Sequence, residues 1–148
     1  MMRHARLLMV ACLVSAAGPA YSDSRFYCSA DDKAVSFTVE SGFAEGDGHK
    51  LNHFRGAILI KDGSVAAGFR KRMLDSNLLV HHWLHDGELR LEVYDAAGDE
   101  APGSELDLVV IAGQRGKKAD TFTGTYDLAV SGGSKPVAAE GKVSCGLK

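Results

Sequence analysis

Three histidines and the only tryptophan of the chain lie in one short run. Residues 78–95, LLVHHWLHDGELRLEVYD, contain His81, His82 and His85 around Trp83. Imidazole nitrogens are common zinc ligands, and an exposed indole is a frequent contact for a binding partner. The run therefore suggests either a metal site or a binding face, and its backbone conformation decides between them.

A β-hairpin accounts for the apolar and polar pattern of this run. Asp86-Gly87 is a favoured two-residue hairpin turn. The register that it sets pairs His85 with Glu88, Trp83 with Arg90, His81 with Glu92, and Val80 with Val93. One face then contains Leu78, Val80, His82, Leu84, Leu89, Leu91 and Val93. The opposite face contains His81, Trp83, His85, Glu88, Arg90, Glu92 and Tyr94.

An extended backbone argues against a metal site in this run. His81 and His85 are separated by roughly 13 Å along a strand at about 3.3 Å per residue, and His82 points to the other side. Zinc–nitrogen bonds of about 2.0–2.1 Å require converging ligands. We therefore expect no metal and no cofactor.

A helix is the alternative, since residues 65–80 read equally as strand, loop or helix. Such a helix would be capped by Asp75 or Ser76 and would end at Gly87. His81 and His85 would then share one face, and His49 and His53 repeat that spacing.

We predict a binding site at Trp83, Arg90, Tyr94, His81 and His85. Arg90 opposite Trp83 suits a cation–π contact worth roughly 0.5–1 kcal/mol when exposed. Each histidine of this face also lies opposite a glutamate, and such cross-strand pairs are modest stabilisers. The plain alternative is a solvated sheet face with no ligand.

Motifs for catalysis are missing from the sequence. It contains no Gly-x-Ser-x-Gly, no phosphate-binding glycine loop and no spaced calcium ligands. We therefore predict no catalytic residues and a binding module of the bacterial cell envelope, with a protein, glycan or lipidic ligand. The alternative is a hydrolase or metal-dependent enzyme that assembles scattered histidines and carboxylates. The basic clusters at 69–73 and 114–118 would bind an anionic group if they adjoined.

Residues 1–22 resemble a cleaved signal peptide. Arg3 and Arg6 precede an apolar stretch at 7–17, and Ala20-Tyr21-Ser22 offers small residues at the cleavage positions. Lipoprotein processing at Cys12 is the alternative. We expect a periplasmic or secreted protein without a transmembrane segment, consisting of one domain at 23–148.

The composition of residues 23–148 limits the possible partners and covalent links. Without Arg3 and Arg6, 15 basic residues face 19 acidic ones, a net charge of −4. This balance argues against nucleic acid as the ligand. Two cysteines, Cys28 and Cys145, remain near opposite ends of the domain, and in an oxidising compartment they predict a disulfide that makes the first and last strands neighbours.

Alternating apolar residues predict an all-β fold. Val35, Phe37 and Val39 share one face of residues 34–40, and Phe122, Tyr126, Leu128 and Val130 share one face of residues 121–130. Glycine-rich turns separate such runs at intervals of about ten residues. We expect one antiparallel domain of about eight or nine strands, forming a small barrel or sandwich.

The early cysteine in RFYCSADD, residues 25–32, resembles the start of small exported lysozyme inhibitors, and the general architecture resembles lipocalin-like carriers as well. Both groups imply a β-barrel. The Ser-Gly-x-x-Tyr inhibitory loop has no match here, because the segments at 41–46 and 131–136 lack the tyrosine. No functional residue is carried over.

Overall fold

The computed structural model describes residues 25–43, 51–85, 87–96, 98–113 and 121–147. These residues form nine strands: β1 (Arg25–Asp31), β2 (Val35–Phe43), β3 (Leu51–Ile60), β4 (Lys71–Asp75), β5 (Leu79–His85), β6 (Glu88–Ala96), β7 (Glu105–Gly113), β8 (Thr121–Ser131) and β9 (Val137–Leu147). Short 3-10 turns occur at Ala67–Phe69 and Gly98–Glu100. In this part of the chain no helix has the length and apolar character to cross a bilayer. The expected signal peptide and Cys12 lie outside the described residues.

All nine strands belong to one antiparallel sheet. Their order is β4-β3-β2-β1-β9-β8-β7-β6-β5, so the first strand pairs with the last and the sheet curls into a nearly closed barrel. The expected all-β antiparallel fold of eight or nine strands is therefore confirmed. The uncertain residues 65–80 comprise a 3-10 turn, the short strand β4 and the turn before β5.

Among the described strands, the barrel has one seam, where the chain passes from β4, which pairs with β3, to β5, which pairs with β6. Each strand runs opposite to its neighbour, and following this rule around the sheet gives β4 and β5 the same direction. At residues 76–78 the chain therefore changes its partner strand from β3 to β6 instead of forming a hairpin. In this crossing Ser76 Oγ donates to the Phe54 carbonyl (3.4 Å), and Tyr94 N–H donates to the Leu78 carbonyl (2.9 Å).

Apolar side chains fill the inside of the barrel. The predicted inward faces of β2 and β8 are buried, including Val35, Phe37, Val39, Phe122 and Tyr126. The Phe37 and Tyr126 rings pack edge to face with centroids 5.4 Å apart. β3 is buried on one side only, because Leu59 faces outward and is 44% exposed.

A buried tyrosine ties the barrel wall to the β1–β2 turn. The Tyr126 hydroxyl donates to Asp32 Oδ2 (2.5 Å), and Asp32 Oδ1 accepts from the N–H groups of Ala34 and Val35. These hydrogen bonds, led by that from Tyr126, lower the pKa of Asp32. Burial and the same carboxylate raise the pKa of Tyr126. The turn is consequently held by an ionised Asp32 at neutral pH.

An ion pair bridges the seam. Arg72 on β4 donates through Nε to Asp95 Oδ2 on β6 (2.7 Å), and the side chains are only 18% and 4% exposed. The Arg72 guanidinium also lies over the Phe69 ring, 5.2 Å from its centroid. β4 and β6 are therefore joined by side chains where the strand ladder is interrupted.

The predicted pairing of the first and last strands is observed. Cys28 and Cys145 lie directly opposite each other on β1 and β9, with their sulfurs 2.03 Å apart. The bridge joins residues 117 positions apart in sequence. It therefore closes almost the whole described domain into one loop.

Replacing both Cys28 and Cys145 with alanine should lower the free energy of unfolding by about 4–5 kcal/mol, because a loop of about 100 residues would no longer restrict the unfolded chain. Urea unfolding of the mature protein, compared with the wild type, measures the difference. An unchanged denaturation midpoint would show that the β1–β9 ladder alone sets the stability.

Asp95→Ala should destabilise the fold by about 3–5 kcal/mol, because it leaves a buried guanidinium without its carboxylate. The matched control is Asp31→Ala, which removes the exposed pair of Asp31 with Lys61 (2.7 Å) and should cost less than about 1 kcal/mol. Thermal and urea unfolding measure both. Equal losses would contradict a special role for the seam pair.

Candidate functional site

The β5–β6 hairpin adopts the extended conformation predicted from its sequence. His85 pairs with Glu88, Trp83 with Arg90, and His81 with Glu92. Gly87 follows with φ of 75°, in the left-handed region that hairpin turns use. The helical alternative is wrong, so His81 and His85 lie roughly 13 Å apart along one strand.

One part of the predicted hairpin register is wrong. The ladder shifts between Leu79 and His81, so Leu79 rather than Val80 pairs with Val93. Val80 is the extra residue of this irregularity, and it is 46% exposed instead of lying on the inner face. His82, also expected on the apolar face, is exposed. Among the described strands, β5 pairs with β6 alone, so its other edge lies at the seam.

Trp83 and Arg90 form the cation–π pair that the register predicts. The Arg90 guanidinium carbon lies 4.9 Å from the centroid of the indole ring. Arg90 Nε also donates to Glu88 Oε1 (2.7 Å), which fixes the guanidinium on this face. Trp83 nevertheless remains 46% exposed. A rigid aromatic surface is thus presented beside the strand edge.

The other predicted site residues extend this face along the hairpin. His81 Nδ1 lies 3.0 Å from Glu92 Oε2, as the register predicts. Tyr94 is 39% exposed, and a hydrogen bond with Glu105 raises the pKa of Tyr94. Trp83 and Tyr94 lie two side-chain rows apart, with the His81–Glu92 pair between them. For His85 only the backbone pairing is described, and its side chain lies outside the described part.

The structure separates the remaining histidine and basic candidates. His53 lies on β3 with a positive φ of 53°, and His49 is outside the described residues. Within the described ranges, no three side chains of histidine, cysteine, aspartate or glutamate come together as metal ligands. In the 69–73 cluster Arg70 donates to the carbonyls of Val65 and Gly63, while Arg72 pairs with Asp95. The 114–118 cluster is not described.

The two strands at the seam differ in how their outer edges are protected. β4 has the sequence KRMLD and carries charged residues at both ends, whereas β5 has the sequence LVHHWLH with no lysine, arginine, aspartate, glutamate or proline. Charged residues and proline are the usual protection of edge strands against pairing with another chain. β5 is therefore an edge that lacks this protection.

The hydrogen-bond ladder between β5 and β6 determines which main-chain groups of β5 point towards its other edge. Tyr94 N–H points towards β5, where it bonds Leu78, and in an antiparallel ladder these directions alternate. Glu88, Arg90 and Glu92 consequently direct their main-chain groups at β5 and engage His85, Trp83 and His81. The N–H and C=O groups of His82 and Leu84 point away from β6, towards the seam.

The outer face next to the hairpin is acidic. Its charged residues on β6–β9 are six carboxylates and two cations: Glu88, Glu92, Glu105, Asp107, Asp127, Glu140, Arg90 and Lys142. The outer faces of β1–β4 carry balanced charges, namely Arg25, Arg55 and Lys71 against Asp31, Glu40 and Asp75. Negative charge is therefore concentrated on the half of the barrel that adjoins β5.

Asp107 is the least favourably placed of these carboxylates. Its Oδ1 is buried without a hydrogen-bond donor among the described residues. Burial raises the pKa of Asp107, and the negative charge of Glu92 on the next strand raises this pKa further. Asp107 borders an open depression of about 510 Å³ whose floor includes Val109, Ala129 and Ala138. Within the described part of the chain, the charge of this carboxylate is therefore unfavourable to the fold.

Sequence analysis did not single out the acidic face or the exposure of Val80. The acidic face could have been predicted from the sequence, because acidic residues occupy the outward positions of ELDLVV, TYDLA and AAEGK. The exposure of Val80 depends on a ladder irregularity that no local residue type indicates. Comparison with protein-family profiles, characterised proteins and solved structures finds no match to the chain.

Asp107→Asn should stabilise the protein at pH 7 by on the order of 1 kcal/mol, because the amide carries no charge to bury. The pKa of the Asp107 carboxyl is raised above its ordinary value of 3.8 in the folded protein. Its protonated form therefore stabilises the fold at pH values below 3.8, and this stabilisation is lost as the pH rises through the folded pKa. The stability gained by Asp107→Asn should therefore become smaller as the pH falls towards 3, where the wild-type carboxyl is also uncharged. Urea unfolding between pH 3 and pH 8 measures it.

The matched control for this substitution is Asp127→Asn, which alters an exposed carboxylate on the adjacent strand. It should change stability by less than about 0.5 kcal/mol. A gain at Asp107 that is equally large at pH 3 would exclude the charge as its cause.

Proposed function

We propose that the mature chain is an exported, non-enzymatic binding module of the cell envelope, and that its ligand is a protein bound at the β5–β6 hairpin. The observation that carries this proposal is the exposed apolar surface of the β5–β6 hairpin: Val80 and Trp83 on β5 are each 46% exposed, and Tyr94 on β6 is 39% exposed. Aromatic residues held in place by neighbours supply contact area at low entropic cost.

Export is supported by two features. Residues 1–22 have the charge and apolar pattern of a signal peptide. The sulfurs of Cys28 and Cys145 lie at disulfide-bonding distance, and such bonds persist in oxidising compartments. We accordingly assign the protein to the periplasm or the extracellular space.

A protein fits the hairpin better than a lipid or a metal-dependent substrate. The inward residues of the described strands pack against one another, and a lipid carrier needs an apolar internal cavity. The described depressions lie on outer faces of the sheet and are open to solvent. Among the described side chains, His53 lies on β3 while His81 and His82 lie on β5, and no three possible metal ligands come together. These features favour surface recognition.

Crosslinking in the living cell tests the proposal. A photoreactive benzoylphenylalanine in place of Val80 should capture a partner protein in the periplasm, and the additional change Trp83→Ala should weaken capture at least tenfold. The matched control places the same group at Thr38, an exposed position on the outer face of β2. Capture from Thr38 equal to that from Val80, or none from Val80, would refute the proposal.

Trp83 also provides a direct readout for the alternative ligands. It is the only tryptophan of the chain, so a shift of its emission reports occupancy of the hairpin face. Titration with soluble peptidoglycan fragments or with anionic phospholipid vesicles should leave the emission unchanged. A saturable shift with the peptidoglycan fragments would show that the ligand is a glycan, and one with the vesicles would show that it is a lipid, instead of a protein.

A further inference from the structure

We propose that the partner binds by adding an extended basic segment to β5 as a further strand of the sheet. This inference rests on the proposed function and specifies how the hairpin recognises its ligand. It depends on three features of the described residues: the open main-chain groups of β5, the accessible side chains along that strand, and the charge of the neighbouring face.

The main chain of β5 is suited to pairing with another strand. His82 and Leu84 direct their N–H and C=O groups away from β6, and β5 lacks the charged residues that protect β4. Addition of a strand to such an edge gives affinity through main-chain hydrogen bonds and specificity through alternate side chains. An extended peptide of seven or eight residues would match the length of β5.

Side chains on both faces of β5 would contact alternate residues of the added strand. Trp83 and His81 face outward, next to the polar solvent-exposed side of the sheet. His82 lies opposite the buried Leu91, on the face that turns towards the barrel interior. An added strand would therefore place every second residue beside the indole and the intervening residues on the face of His82.

Charge selects a basic segment for the outward positions. On β6 and β7 the outward carboxylates Glu88, Glu92, Glu105 and Asp107 are accompanied by the single cation Arg90. Neighbouring strands are about 4.8 Å apart, so outward lysines of an added strand would lie within about one Debye length of Glu92.

The same charge distribution disfavours a second copy of the chain as the occupant. Pairing of two β5 strands across a twofold axis would bring two acidic faces into one continuous sheet. Like charges at such an interface oppose association. A basic segment with alternating apolar residues satisfies both the edge and its electrostatic surroundings.

Defined peptides test this inference independently of the natural partner. An acetylated lysine–valine alternating octapeptide should bind the mature protein and shift Trp83 emission, and the glutamate–valine peptide should bind at least tenfold more weakly. A lysine–valine peptide N-methylated at alternate residues keeps the side chains but cannot pair along that edge, and it should lose at least tenfold in affinity.

Matched proline substitutions test the protein side. In β5, His82→Pro removes an N–H that points away from β6, so the ladder remains intact while binding falls at least tenfold. The control is Met73→Pro on β4. There Ile60 N–H bonds the Arg70 carbonyl, so alternation directs Met73 N–H away from β3. This variant should bind within twofold of wild type, and circular dichroism and thermal unfolding should show that both variants fold.

Each outcome bears on a different part of the inference. Equal binding of the N-methylated peptide, or no loss with His82→Pro in a folded variant, would overturn strand addition. Failure of the lysine–valine peptide to bind would overturn the basic segment. Neither result affects a partner captured through Val80 in a Trp83-dependent manner, which tests the proposed function itself. A dimer abolished by His82→Pro but not by Met73→Pro, seen by analytical ultracentrifugation, would replace the basic segment with a second copy.

Discussion

A ring of antiparallel strands can close only with an even number of members, because every strand must reverse the direction of its neighbour. The described sheet has nine, and the pairing of β1 with β9 fixes the direction of each. β4 and β5 run in the same direction because they are consecutive segments of the chain, joined only by residues 76–78, and this connection is too short to place them side by side. The seam therefore lies where the chain changes its partner strand from β3 to β6, and among the described residues this change leaves β5 paired on one side.

The two strands at the seam are treated differently. The Arg72–Asp95 pair links β4 to β6, where a ladder of main-chain hydrogen bonds is missing. β5 is a seven-residue strand that has β6 as its one neighbour among the described strands. A partly buried ion pair contributes less reliably to stability than a continuous ladder does, but it holds the crossing segment in one position. The edge of β5 is consequently presented on a supported strand.

Local patterns in the sequence predicted much of this arrangement. Alternation identified the inward faces of β2 and β8, and the Asp86-Gly87 turn set the pairing of Trp83 with Arg90 and of His81 with Glu92. Both depend on residues close in sequence. The shift at Val80 could not be predicted in this way, because it arises where the chain passes from one partner strand to another. The seam likewise depends on which distant strands, β3 and β6, become the partners of these two consecutive segments.

The acidic face shows the same distinction between local and global causes. Alternation assigns Asp107 and Glu92 to outward positions, but their repulsion depends on which strands become neighbours, and β6 and β7 meet only in the folded sheet. Hydrogen-bond satisfaction depends on that packing too: Asp107 Oδ1 is buried without a donor, a state that costs free energy in the isolated domain.

Two unfavourable features of the free protein therefore lie on the same half of the sheet: the edge of β5, and the poorly compensated carboxylate of Asp107 two strands away on β7. An edge strand without charges promotes association, and a buried unpaired charge weakens the fold. Neither feature contributes to holding the barrel together, since the disulfide, the Tyr126–Asp32 hydrogen bond and the Arg72–Asp95 pair all lie elsewhere. A basic strand seated on β5 would pair the main-chain groups of this edge and bring positive charge towards Glu92 on β6, whereas Asp107 would lie about three strand spacings away. The edge and the acidic residues of the adjoining strand β6 are the physical reason for locating recognition here.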